Sequence, residues 1–258
     1  MQTILFHSTI FGPIHSRRLG ASLGVNLSPT DGKTCTFDCI YCEAGYNAQG
    51  PGKSGLPARY EVARMLEDKL ATMQACGDRL DVITFSGNGE PTIHPDFPEI
   101  INDTIALRDR YFPDVKISVL TNSTMLGKAE VAEALKKVDN NILKLDSAIE
   151  QTVKLLDRPN KAFDLNEVIR QLSQFSGSGI IQTMITRGSH NGQTVDNSTP
   201  QEIDALIEAY RRIKPRSIMI YSIDRRTPEQ SLQRVEHDEL KSIGQRISEA
   251  TGIEVSIA

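Results

Sequence analysis

Short apolar runs of strand length alternate with helical stripes along most of this chain, and that alternation restricts the folds open to it. Residues 23–27, 82–85, 116–120, 142–145, 180–185 and 217–221 read as strands, and residues 253–257 as a terminal strand. Helical spacing joins Val62, Met65, Leu66, Leu70 and Met73, then Ile100, Ile101, Ile105 and Leu107, then Val131, Leu135 and Val138. It returns in Leu165, Val168, Ile169, Leu172 and Phe175, in Ile203, Leu206, Ile207, Tyr210 and Ile213, and in Leu240, Ile243 and Ile247. Strands that alternate with helices make a parallel sheet with right-handed crossovers. Six such units and a terminal strand fall short of a closed barrel of eight. The expected fold is α/β: a partial (β/α)6 barrel, open on one side, with a short terminal strand extension, in a single domain over residues 1–258. An open doubly wound sheet is the alternative.

Apolar residues make up 39% and charged ones 24% of the 258, the balance of a globular protein. The formal charge of −4 argues against a strongly basic nucleic-acid binder, without excluding a local basic patch. Trp is absent, so no large aromatic stacking surface is evident. No apolar run reaches the length of a membrane span. Residues 1–10 lack a basic leader and a small-residue cleavage site, and read as a strand or ordered lead-in. A cytoplasmic location, where thiols stay reduced, is the expectation.

Three of the four cysteines fall in Cys35-Thr36-Phe37-Asp38-Cys39-Ile40-Tyr41-Cys42, at C-x3-C-x2-C spacing. Thiolates bind soft metals and iron–sulfur clusters, and one loop can aim three of them at one point. A cubane [4Fe–4S] cluster held this way keeps one iron free for another ligand. Structural zinc normally takes a fourth protein ligand. Only Cys76 remains, at the end of a helix, where packing is its expected role. Buried structural cysteines are a further alternative. A disulfide is disfavoured, because Cys39 and Cys42 are too close for an unstrained bridge.

In parallel α/β folds, function collects at the C-terminal ends of strands. The cysteine loop follows the first strand. Ser86-Gly87-Asn88-Gly89-Glu90-Pro91-Thr92 follows the second. There Gly87 and Gly89 let backbone approach a ligand, and Glu90 can accept from an ammonium group; a plain Asn-Gly turn is the alternative. Thr121 and Asn122 end the third strand and can bond ribose hydroxyls or cap a turn. Lys144 and Asp146 end the fourth, with Ser147 beside them. They are two residues apart and so face one side, where they either pair with each other or meet a ligand. Gln182 is polar within the fifth strand and is expected to point inward.

The cysteine motif, with Tyr41 just before the third thiol, resembles that of the radical S-adenosylmethionine (SAM) enzymes. The leader Ser16-Arg17-Arg18-Leu19-Gly20-Ala21-Ser22-Leu23-Gly24-Val25-Asn26 resembles the Fe–S oxidoreductase branch that includes the tRNA wybutosine-biosynthesis enzyme. That enzyme's extra cysteine ligands have no counterpart here. The resemblance implies the partial (β/α)6 barrel of radical SAM type, a [4Fe–4S] cluster on Cys35, Cys39 and Cys42, and SAM on the free iron. It implies that Gly87, Asn88, Gly89, Glu90 and Pro91 match the family's Gly-Gly-Glu motif, which holds the SAM amino group. Asn88 stands where many members have glycine. With SAM as the ligand, Tyr41, Thr121, Asn122, Lys144, Asp146, Ser147 and Gln182 are the further candidates to contact it, with Lys144 toward its carboxylate and Asp146 toward ribose or sulfonium. It further implies a flavodoxin or ferredoxin as electron donor. The chemistry implied is reductive cleavage of SAM to a 5′-deoxyadenosyl radical that abstracts hydrogen from a substrate, an oxidoreductase- or lyase-type reaction.

The polar stretches 186–199 and 222–236 read as long loops of the kind that bind or cover ligands. Arg187, His190, Asp224, Arg225 and Arg226, with Arg17 and Arg18, make a candidate patch for an anionic substrate; a solvated charged surface is the alternative. An RNA nucleoside, a peptide or a small metabolite is compatible. His190 has no visible triad partner, so nucleophilic catalysis is not expected. A ferredoxin-like electron carrier and a zinc-stabilised RNA-binding module are the competing classes, and each needs a fourth ligand.

Overall fold

The computed structural model describes residues 4–16 and 19–258. Its strands and helices follow in chain order as β1 (Ile10–Ser16), β2 (Gly20–Val25), α1 (Arg59–Cys76), β3 (Val82–Phe85), α2 (Phe97–Tyr111), β4 (Lys116–Thr121), α3 (Ala129–Lys136), β5 (Asn140–Lys144) and α4 (Glu150–Leu156). The chain continues through α5 (Leu165–Leu172), β6 (Ile180–Met184), β7 (Thr186–His190), β8 (Gln193–Asp196), α6 (Pro200–Ile213), β9 (Ser217–Tyr221), β10 (Gln233–Arg234), α7 (His237–Thr251) and β11 (Glu254–Ile257). Several helix ends are written locally. The Asp164 carboxylate accepts from the N–H groups of Asn166 and Glu167 at the start of α5, and Thr199 caps α6 ahead of Pro200. Gly77, at φ 70°, closes α1 in the left-handed conformation that favours glycine.

The main sheet runs β1-β2-β3-β4-β5-β6-β9-β11. It is parallel throughout except where β1 pairs antiparallel with β2. The order never reverses, so every crossover winds the same way and the helices lie on one face. A doubly wound sheet instead turns back at a switch point. Side chains divide accordingly. Leu23, Ile83, Val119, Leu143, Ile181 and Ile218 pack beneath the helices in the main core, whereas Ile142, Ile180 and Met219 form a separate cluster on the opposite face. Among the described residues β1 and β11 do not pair with each other, so the curled sheet is a partial barrel.

Strands covered on both faces must be apolar on both, and β3, Val-Ile-Thr-Phe, is buried at every position. Polar groups on the inner face satisfy one another. The Ser22 and Thr84 hydroxyls lie 2.8 Å apart, and the Asn140 amide donates to Ser118 Oγ at 3.0 Å. A cavity of about 140 Å³ remains there, bordered by Ser22, Thr84, Ser86, Ile142, Gln182 and Met219.

Several local expectations need correction. Stretch 186–199 is not an irregular loop. It contains the β7–β8 hairpin, which β10, from the stretch 222–236, extends to a three-stranded sheet. The turn is Asn191-Gly192, both at positive φ, the pairing that favours a two-residue hairpin. Helix α4 was not anticipated. Cys76, expected to pack, is exposed. Among the described residues no helix is long and apolar enough to cross a membrane.

Candidate active site at the strand C-termini

The cysteine loop leaves β2 and is fixed from two sides. The first support is the turn after β3. Thr34 N donates to Asn88 O (3.1 Å), and Glu90 N donates to Thr34 O (3.0 Å). This stitching explains Gly89: a Cβ there would lie 1.9 Å from the Thr34 carbonyl oxygen. The second support is the segment after α4. Ile40 N donates to Leu156 O, Asp38 N to Asp157 O, and Asn160 N to Thr36 O, at 2.9–3.0 Å. The loop therefore carries its thiols in a backbone frame built by two distant pieces of chain.

Cys39 is buried, Cys35 and Cys42 partly so, and all three are free. Burial, with Glu90 adding to it, pushes the Cys35 thiol up to about 12. Burial also holds Cys39 well above the usual thiol range. Loading a metal group must displace these protons. The Asn122 side-chain amide donates to Cys35 Sγ (3.5 Å) and Thr36 Oγ1 (2.8 Å), and Cys39 Sγ donates to Asp157 Oδ1 (3.4 Å). Among the described residues, no group of three or more His, Cys, Asp or Glu is arranged to hold a metal ion. A cubane instead takes each thiolate at a separate corner. Three thiols on one rigid loop, with an amide hydrogen bond to one sulfur, are a donor set that fits such a cluster.

Beside the thiols lies a buried charged cluster. Lys144 Nζ sits 2.6 Å from Asp146 Oδ2, 3.5 Å from Asp157 Oδ1 and 4.6 Å from the centre of the Tyr41 ring. The Tyr41 hydroxyl donates to Asp146, whose other oxygen accepts from Met184 N at 2.9 Å. Burial works against the Lys144 charge, but Asp146 and Asp157 outweigh it and hold its affinity for a proton well above normal. Lys144 and Asp146 thus pair with each other, the plainer of the two sequence readings. Lys144→Met would leave two buried carboxyls without their cation. It is expected to cost about 3–5 kcal/mol, read as a lower denaturant midpoint; an unchanged midpoint would show that the pair contributes little.

The other residues expected around a ligand have partners within the chain. The Glu90 carboxylate is buried and accepts from Thr92 N (3.1 Å), Thr92 Oγ1 (2.5 Å), Thr121 Oγ1 (2.7 Å) and Asn122 N (2.6 Å). Glu90, Thr121 and Asn122 therefore serve one another, and Pro91 begins the short turn that brings Thr92 round. Asn88 is held by the lead-in and the segment before the cysteine loop. Its side chain accepts from Phe6 N (2.8 Å) and donates to Phe6 O and Pro29 O (both 2.9 Å). Gly87 packs on Asn26, where a Cβ would lie 2.3 Å from Oδ1. Ser147 Oγ donates to Glu202 Oε2 (2.6 Å) and so ties the β5 end to α6. Gln182 points inward as expected, but meets Met219 Sδ at 3.6 Å.

The charged patch also changes. Arg187 donates to Ser198 and Glu239, and His190 lies 2.8 Å from Glu229. Arg225 pairs with Glu43 at 2.7 Å, next to Cys42. Arg17 and Arg18 lie outside the described residues. A cleft of about 770 Å³ opens along Asp224, Arg225, Arg226, Thr227 and Gln230. A smaller adjoining recess, which shares Asp224, Arg225 and Thr227 with that cleft, is lined by Tyr41, Met184 and Tyr221. Sequence reading missed Asp157 and Lys33; no periodicity or motif marks either.

A family model described as the radical SAM superfamily matches residues 30–194, more than half of the chain. The chain belongs to that superfamily. Its curated relatives include a protein named GTPase Obg from Brachyspira hyodysenteriae, 28% identical over 96% of this chain and 35% of that protein. Another is a UPF0026 protein from Helicobacter pylori, 29% identical over 84% of this chain and 66% of that protein. The chain thus spans about a third of the first and just under two thirds of the second. Among solved structures, Streptococcus suis SuiB bound to precursor peptide SuiA superposes with a TM-score of 0.64 at 13% identity, over 91% of this chain and 48% of that one. Archaeal TYW1 gives 0.52 at 15%, over 89% and 72%. These two likenesses establish the fold.

Proposed function

We propose that the protein is a radical SAM enzyme that holds a [4Fe–4S] cluster on Cys35, Cys39 and Cys42 and binds SAM beside it. The observation that carries this reading is the loop of three thiols, stitched to the Gly87–Glu90 turn and faced by Asn122, at the C-terminal mouth of a partial barrel. When bound, cluster and SAM supply a one-electron cleavage to methionine and a hydrogen-abstracting 5′-deoxyadenosyl radical. The chain's own residues set the surroundings. Asn122 orients Cys35. Tyr41, Lys144 and Asp146 give the barrel mouth a rigid polar wall. The recess between Tyr41 and Tyr221 leads to the cleft at Arg225 and Arg226, where a substrate with an anionic group would approach. A flavodoxin or ferredoxin is proposed as the electron source.

An iron–sulfur electron carrier without SAM chemistry is the second reading, since it needs only the thiol loop. Anaerobically reconstituted protein, given dithionite and SAM without substrate, is expected to release 5′-deoxyadenosine and methionine slowly. Neither product from a fully loaded protein would favour the carrier.

A further inference from the structure

Lys33 is enclosed by the loop that carries the three thiols. It lies two residues before Cys35, and its side chain is only 2% exposed. Its ammonium donates to the Gly45 carbonyl at 2.7 Å, and Gly45 N donates in turn to the Cys42 carbonyl at 2.9 Å. Both ends of the cysteine motif therefore close round one buried positive charge.

A buried ammonium needs a counter-charge. Asp38, inside the motif, stands 3.7 Å from Lys33 Nζ. That carboxylate is shared: it accepts from Asn47 N at 2.6 Å and faces the Arg158 guanidinium at 3.4 Å. One distant, divided carboxylate neutralises Lys33 in part. Three thiolates on the same loop, once a cluster is loaded on them, would complete the balance.

We infer that Lys33 is a positioning residue for the cluster, its fixed positive charge enclosed by the thiolate loop so as to retain the cluster and favour its one-electron-reduced state. This rests on the cluster assignment proposed above. The oxidised cubane on three thiolates is already an anion. One electron from an external one-electron reductant adds a further unit of negative charge, and no bond forms or breaks. A cation fixed in the loop stabilises the reduced state more than the oxidised one, so it raises the midpoint potential. Because the charge is buried, salt screens the effect little.

The test is a redox titration without SAM. Wild type, Lys33→Met and Lys33→Arg are reconstituted anaerobically, assayed for iron and sulfide, and titrated with dithionite while the reduced cluster is followed by electron paramagnetic resonance. Lys33→Met is expected to titrate at a more negative potential than wild type, and Lys33→Arg to return toward it. A wild-type potential in Lys33→Met overturns the inference. If Lys33→Met fails to fold or to hold a cluster, Asp38→Asn decides. With the acid removed, the Lys33 charge stands less compensated and the potential must rise above wild type; an unchanged or lower value overturns the inference. Wild-type protein that holds no cluster would instead overturn the cluster assignment, and this inference with it.

Discussion

Replacing Cys35, Cys39 or Cys42 singly by alanine is expected to strip the protein of most of its iron and sulfide after anaerobic reconstitution, whereas Cys76→Ala keeps the full amount. Each of the three thiols would hold one corner of the cluster, and two corners leave an oxygen-sensitive cubane without a stable frame. Cys76 cannot substitute. It ends α1, which leads into the N-terminal end of β3, so it lies toward the opposite end of the sheet from the cysteine loop. Tyr41, Asn122 and the backbone frame stay intact in every variant, so circular dichroism should be unchanged. Full cluster content in any of the three variants, or its loss in Cys76→Ala, would contradict the assignment.

Glu90→Ala is expected to destabilise the fold itself. The carboxylate takes four donors from Thr92, Thr121 and Asn122, and it is 4% exposed. The two hydroxyls can rotate to other acceptors; the amides of Thr92 and Asn122 cannot. Leaving buried donors unpaired costs about 1–3 kcal/mol each, so a loss of about 3–5 kcal/mol is expected. In a chain of this size that lowers Tm by roughly 6–20 °C. Glu90→Gln, which keeps one acceptor oxygen, should lose about 1–3 kcal/mol. Both are read by thermal unfolding of metal-free protein, so no ligand enters the comparison. Wild-type Tm in both variants would show that the tie contributes little and that the carboxylate is free to serve a ligand.

The parts of the fold legible in the sequence were those whose burial repeats. Ile203, Leu206, Ile207, Tyr210 and Ile213 lie on one helical face because one face of α6 is buried, and all five are in the core. The hairpin β7–β8 was missed because its strands are partly exposed, so hydrophobic periodicity is weak there. Its signal was instead the turn, Asn191-Gly192. Helix α4 has only seven residues, too few to establish a period. Arg187 looked like a free substrate contact, since nothing local shows that Glu239, on α7, reaches it.

The site divides in the same way. Residue type and spacing alone identified the three thiols, because chemistry that needs three soft donors on one loop leaves a short, dense pattern. The positions of Glu90, Thr121, Asn122, Lys144 and Asp146 at strand ends also followed from the chain, since parallel strands deliver their C-termini to one mouth. What those side chains do there was decided by tertiary structure alone. A carboxylate at a strand end bonds whatever donor the neighbouring strand presents. For Glu90 those donors include Thr121 at the end of β4 and Asn122 just after it. Asp157 and Lys33 enter the site because separate pieces of chain wrap the cysteine loop and shut water out. Burial then obliges each charge to find a partner, Lys144 for Asp157 and the Gly45 carbonyl with Asp38 for Lys33, and no one-dimensional pattern records which partner that is.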